Sequence, residues 1–526
     1  MKDVFTQHAG IFILAAYFSV TVVIGWFSLR SRVSANSFLN ATRALPFPVV
    51  ILSYVSANSG ALEILGLNAA AAQYGVQAFH FYWIGAIPAM IFLSIWVMPM
   101  YRRSGIRSVP EYFELRYGPD VRLLNACVVA TMRLLLGGIN LYAMAQVLQA
   151  ILGLPFLSGV LLSGSVVLAS MLLGGIRATI YNSILQMGLM LCGLVPLVLH
   201  YAKGRRSLPL VDSGMRGHLW TSTPLNSTTS TFDAIGVVLG LGFVLSFGYW
   251  CTDFVLMQRA FTARTDKAAR MVPVWAGFAK LLFSMIGVLP GLAAVSRIPG
   301  LGHSVRYDQA LPLLMRMTYG PVMLGLGLTA LVAGLMSGLA ANISAFSALW
   351  TQDIYRQSIR KDASESHYVW MGRFAYLFAA IVGGSASYLT ILFGNLMEHI
   401  QLIFSIFASP FWAVFLLGIV AQRVNARGAI AGLISGASIG LAHLVAFGAG
   451  WIRYGSVMNM TFHGAIYSFT TAIVVGLLAS PRETRDIQQR VLTLDSSVAF
   501  GVRTLPLWCL SFVLLSVAIA LNVYWR

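Results

Sequence analysis

Apolar stretches of about 20 residues recur along the whole chain, separated by short polar loops, and this repetition restricts what the chain can become. A bilayer core is spanned by about 20 helical residues. Only helices or closed barrels satisfy their own backbone hydrogen bonds there. Run lengths predict about fourteen spans, near residues 10–29, 46–75, 79–101, 122–151, 155–173, 179–202, 232–259, 271–296, 321–356, 366–392, 397–421, 428–449, 460–480 and 505–524. The expected fold class is an all-α polytopic membrane protein whose first partner is the lipid bilayer. With 58% of 526 residues hydrophobic and 10% charged, no stretch reads as a separate soluble domain. The net charge of +18 does not call for nucleic acid, because the basic residues lie in short loops between spans. With the N-terminus outside, 22 of the 35 Lys and Arg residues fall in inside loops, which predicts both termini outside. The stretch 10–29 reads as a retained helix rather than a cleaved leader. Cys127, Cys192, Cys251 and Cys509 stand singly, with no metal or disulfide spacing.

The second span is apolar at its ends and polar in its middle, Ser53-Tyr54-Val55-Ser56-Ala57-Asn58-Ser59-Gly60-Ala61-Leu62-Glu63. Ser, Asn and Gly offer the backbone alternatives to a closed helix. A carboxylate at mid-membrane costs about 2.5–3.5 kcal/mol on insertion scales, so Glu63 needs a cavity or a partner. Unwound backbone at that depth is how transporters build solute and ion sites. Span seven repeats the pattern, with Gly236, Gly240, Gly242, Ser246 and Gly248 before Tyr249-Trp250-Cys251-Thr252-Asp253. Interruptions five spans apart predict an inverted repeat, 46–202 against 232–421, with accessory helices over 428–526. Small residues also serve ordinary helix packing. Lys280 lies too deep in span eight to snorkel, and Gln401 opens span eleven. Span nine carries small and polar residues from Ala333 to Asn342, including Ser337, suited to hard-oxygen ligation or to interhelical hydrogen bonds. Tyr82, Trp83, Tyr249 and Trp250 can wall a pocket or merely pack. No His-Glu-x-x-His pattern and no paired intramembrane aspartates point to an enzyme.

Several stretches resemble the solute:sodium symporters, and within them the sodium–glucose cotransporter branch. They are Arg43-Ala44-Leu45-Pro46 before the broken span, Ser108-Val109-Pro110-Glu111-Tyr112-Phe113-Glu114-Leu115-Arg116-Tyr117-Gly118, and Tyr249-Trp250-Cys251-Thr252-Asp253 with Gln258-Arg259. Ser337 through Asp353-Ile354-Tyr355, and Ala413 to Gly418 followed by Arg423 and Gly428-Ala429, continue the likeness in order. The resemblance implies a five-plus-five inverted-repeat core of the leucine-transporter type, alternating access, and cation-driven uptake of a small organic solute. It implies a solute pocket near Glu63, Tyr82, Ser246, Lys280 and Gln401, with Tyr249 as inner gate and Trp250 as a wall. Asn58 and Trp83 keep the family type, with Asp253 as a further supporting residue, while Glu63 replaces the usual Gln or His.

For sodium, the resemblance implies backbone carbonyls of Ser56 and Ser59, with Gly334, Ser337 and Gly338 on span nine. Gly338 has no hydroxyl, and Ser183 stands where the family has an aspartate, which weakens the expected sodium site. The leading expectation is a sodium-coupled importer of a sugar-like or other small polar solute. Proton-coupled or uncoupled transport using Glu63 is a second, and a solute receptor without coupled flux a third. A bacterial inner membrane is the expected location.

Overall fold

The computed structural model describes residues 12–13, 16–17, 19–20, 46–106, 109–203, 218–220, 231–421, 423–480 and 504–525, with backbone only at 57 and 170–184. The predicted helix 10–29 therefore lies almost wholly outside the described residues, as do Arg43, Ser108 and the side chain of Ser183.

The second predicted span is two helices, α1 (Phe47–Asn58) and α2 (Ala61–Tyr74). The Ser59 N–H closes α1 on the Val55 carbonyl at 2.7 Å, and Gly60 is extended at φ −75°, ψ 168°. The helix restarts when the N–H groups of Glu63 and Ile64 both donate to the Gly60 carbonyl. The two axes bend by 48°. There follow α3 (Phe81–Ser104), the short α4 (Val109–Tyr117), α5 (Pro119–Leu152) and α6 (Phe156–Lys203).

Span seven also breaks, between α7 (Gly236–Thr252) and α8 (Phe254–Phe261), with a 48° bend. The break sits at Asp253, later than the glycine run suggests. That run forms a wide π-helical segment, Gly236–Ser246, which keeps its backbone bonded. The helix stops where Asp253 turns extended and its Oδ1 accepts from Val255 N at 2.9 Å and Leu256 N at 3.0 Å. The rest are α9 (Asp266–Arg297), α10 (Ala310–Thr318), α11 (Pro321–Ile359), α12 (Glu365–Leu392), α13 (Leu396–Val420), α14 (Ala426–Gly448), α15 (Val457–Leu478) and α16 (Leu505–Tyr524).

Among the described residues, nine continuous helices are long and apolar enough to cross a bilayer, and the two bent pairs bring the number to eleven. The chain is an integral membrane protein. Two separate spans were expected over 155–202, whereas α6 runs unbroken for 48 residues, with apolar ends at Phe156–Ala169 and Leu185–Tyr201.

Helix α9 lies directly on α2. A β-carbon at Gly287 would stand 2.6 Å from Leu67 Cδ2, and one at Gly291 would stand 2.9 Å from Ala71 Cβ. Asn68 Nδ2 donates to the Gly287 carbonyl at 3.2 Å across the seam. Gly291→Val is expected to cost about 1–3 kcal/mol through overpacking. A thermal melt of the purified protein measures it, and an unchanged midpoint would mean that the seam yields.

Helix α4 straps the end of α13. Arg116 Nε donates to the Gly418 carbonyl at 2.9 Å and Nη2 to the Ala421 carbonyl at 3.1 Å. The Tyr117 hydroxyl donates to the Val414 carbonyl at 2.8 Å. Gly418 and Ala421 stand at the C-terminal end of α13, where carbonyls run out of intrahelical donors, while Val414 lies further inside the helix. At the opposite end of the bundle, Gln73 Nε2 and the Tyr74 hydroxyl of α2 donate to Glu398 on α13. Asp308 accepts from the Leu396 N–H at 2.7 Å and from the Tyr142 hydroxyl at 2.8 Å.

Candidate functional site

The two breaks meet. Asn58, the last residue of α1, donates from Nδ2 to the Tyr249 hydroxyl at 2.7 Å, joining residues 191 positions apart. Between them lies a cavity of about 180 Å³, bordered by α1, α2, α3, α5, α7, α8, α11 and α13. Six of the seven expected solute residues line it: Glu63, Tyr82, Ser246, Tyr249, Trp250 and Gln401. Lys280 does not reach the wall. It stands behind Glu63 and donates from Nζ to Oε2 at 2.6 Å. The carboxylate side chain is 26% exposed and the lysine 2%, so the pair presents its acid to the cavity. The Lys280 ammonium also lies 4.7 Å from the Tyr82 ring centre and 5.6 Å from that of Trp250. Aromatic faces are electron-rich, so they add to the carboxylate in holding a buried cation.

The other polar groups are partly used. The Ser246 hydroxyl donates to the Leu241 carbonyl at 2.7 Å, five residues back along the wide turn, which leaves its lone pairs to the cavity. Among the described residues, Gln401 is held only by a 3.6 Å contact of its amide nitrogen with Met397 Sδ, a weak acceptor. Trp83 is not a wall residue. Its indole N–H donates to Ser284 Oγ at 3.2 Å and its ring stacks on Phe79 at 4.3 Å.

Sequence reasoning missed a second buried ion pair. Arg133 on α5 donates from Nη2 to Asp253 Oδ2 at 2.5 Å and from Nη1 to Asn342 Oδ1 at 3.4 Å. Both members of the ion pair border the cavity. With Tyr249 and Phe404 they also border a smaller pocket of about 30 Å³ on the α4 side, where Val109 and Pro110 close it. The available signal was Arg133 itself, a charge in the interior of a long apolar span.

Of the expected sodium residues, Gly334 and Gly338 border the cavity. Ser59 is fully buried, and its Oγ has no hydrogen-bond partner among the described residues. Ser56 Oγ donates back to the Ser53 carbonyl at 3.0 Å, and Ser337 is half-buried on α11. Asn140 on α5 borders the same region and was not foreseen.

Residues 38–436 match the pattern of the Sodium:solute symporter family. The chain belongs to that family. It is 27% identical to sodium/glucose cotransporter 1 of Oryctolagus cuniculus, over 90% of this chain and 79% of the relative. It is 24% identical to the sodium/glucose cotransporter of Vibrio parahaemolyticus, over 81% and 83%. In fold it matches a Na+-coupled sialic acid symporter solved in a substrate-bound, outward-open state. The TM-score is 0.73 at 18% identity, over 89% of this chain and 96% of that one. A symporter family, a broken-helix bundle and a polar cavity at the breaks describe a transporter rather than an enzyme.

Proposed function

We propose that this chain imports a small, uncharged, hydroxyl-rich solute, sugar-like in its chemistry, coupled to sodium by alternating access. The supporting observation is that the charges around the cavity cancel in pairs: Glu63 with Lys280 at 2.6 Å, and Arg133 with Asp253 at 2.5 Å. A charged solute would find no unpaired counter-charge on the wall. Hydroxyls would find the carboxylate of Glu63, the amide of Gln401 and the lone pairs of Ser246, while Trp250 and Tyr82 would offer flat faces to a ring.

Sodium would be a co-substrate at the α1–α2 break, held by carbonyls of Ser56 and Ser59 with Gly334 and the Ser337 hydroxyl on α11. By linkage, a cation that stabilises the unwound segment raises solute affinity in the same state. Tyr249, tied to Asn58 and bordering both pockets, would gate release toward the α4 side. That side faces the cytoplasm if both termini lie outside a bacterial inner membrane, as the loop charges argue.

The test is a thermal-stability screen of purified protein against neutral sugars and polyols, in sodium and in choline. A sugar that raises the melting temperature only with sodium supports the reading; stabilisation by anionic or cationic solutes instead would overturn it. A second reading, proton coupling, is favoured by Glu63 being the member of its pair that faces the cavity. Uptake driven by a pH gradient in choline would support it.

A further inference from the structure

Asn140 has an amide with one half used. Its Nδ2 donates to the Leu136 carbonyl at 2.9 Å, while Oδ1 is buried with no partner among the described residues. The residue is 1% exposed. A buried acceptor without a donor costs free energy, so an orphan oxygen beside a cavity points to something that fills it. What lies against it is Gly338: a β-carbon there would stand 2.6 Å from Asn140 Oδ1, where real β-carbons keep beyond 3.0 Å. One turn earlier on α11, Gly334 lies against the start of α2, its built β-carbon 3.1 Å from the Ala61 nitrogen. Asn58, which borders the same cavity, and Ser59 next to it in the chain carry two more buried oxygens, Asn58 Oδ1 and Ser59 Oγ, with no hydrogen-bond partner among the described residues.

We propose that Asn140 Oδ1 is a ligand of the coupling cation, supplying from α5 the side-chain oxygen that residue 338 cannot. The inference rests on the cation-coupled reading above. Asn140 Oδ1, Asn58 Oδ1 and Ser59 Oγ are neutral, hard oxygens, which suit a small monovalent cation; divalent sites recruit carboxylates. Arg133, the charged residue of α5 nearest in the chain, lies about two turns away and is neutralised by Asp253. The same contact accounts for glycine at 338, since any side chain there displaces the asparagine oxygen.

The test is sodium-dependent thermal stabilisation of the full chain in detergent, without solute, with choline holding ionic strength constant. Asn140→Ala should raise the half-saturating sodium concentration at least about tenfold, the scale of losing one member of a metal site. Asn140→Asp keeps the oxygen and should retain sodium stabilisation. Gly338→Ser alone should weaken sodium binding by displacing the amide, and the double variant Asn140→Ala/Gly338→Ser should recover part of the loss. If the wild type responds to sodium and Asn140→Ala shifts only the baseline melting temperature in choline, the residue is structural and the inference falls while the coupling reading stands. If the wild type does not distinguish sodium from choline, both fall. Should Asn140→Ala not fold, the Asn140→Asp and Gly338→Ser titrations decide: retention with weakening supports the proposal, and no difference between them overturns it.

Discussion

Lys280→Ala is expected to abolish solute-dependent stabilisation and to lower the melting temperature. Removing one partner of a buried ion pair costs about 3–5 kcal/mol, because the other charge is left without compensation. Here the remaining carboxylate has the cavity beside it, so the cost should fall toward the lower end. Glu63→Ala leaves the deeper charge, with 2% of the lysine side chain exposed, and should destabilise at least as much. The double variant Glu63→Gln/Lys280→Met removes both charges and should recover a monodisperse protein that still fails to bind solute. Melting curves and size-exclusion profiles read the first effect, and a solute titration reads the second. Solute binding by the double variant would show that the pair only braces the fold.

Asp253→Ala should be the second severe change, because the residue does two jobs. Its Oδ1 caps α8 through Val255 and Leu256, and its Oδ2 holds Arg133. The lost cap is worth about 1 kcal/mol and the unpaired guanidinium about 3–5 kcal/mol. Asp253→Asn keeps the cap and should retain about 1 kcal/mol more stability than the alanine variant. Both should lose transport in proteoliposomes, since Arg133 would then face the cavity as a net positive charge. A transport rate equal to wild type in Asp253→Asn would show that charge balance is dispensable there.

The polar interruptions and the deep charges were legible because the membrane makes them expensive. Ser53–Gly66, Glu63 and Lys280 stand out against their spans for that reason. Their pairing was not legible: 217 residues separate Glu63 from Lys280, and nothing local says which charge answers which. Arg133 carried the same signal as Lys280, but its partner is the residue that caps the second break, a relation that only the fold brings about. The glycines of α7 were misread in position because a helix can widen without opening, and the true stop is a side-chain cap at Asp253. Asn140 left no mark at all, since an asparagine in a span is ordinary until its oxygen is found without a donor.

The glycine seam between α2 and α9 has a consequence for how selectivity survives the transport cycle. Two helices in such close contact, cross-bonded from Asn68 to the Gly287 carbonyl, have little room to slide over one another. Glu63 rides on one and Lys280 on the other, so the two charges travel as fixtures on a single beam. They cannot serve as a latch that parts on each turnover. Solute would therefore meet the same carboxylate, at the same angle, from whichever side it entered. The moving joints would be left to contacts between less closely fitted helices, Asn58 with Tyr249 and Arg133 with Asp253.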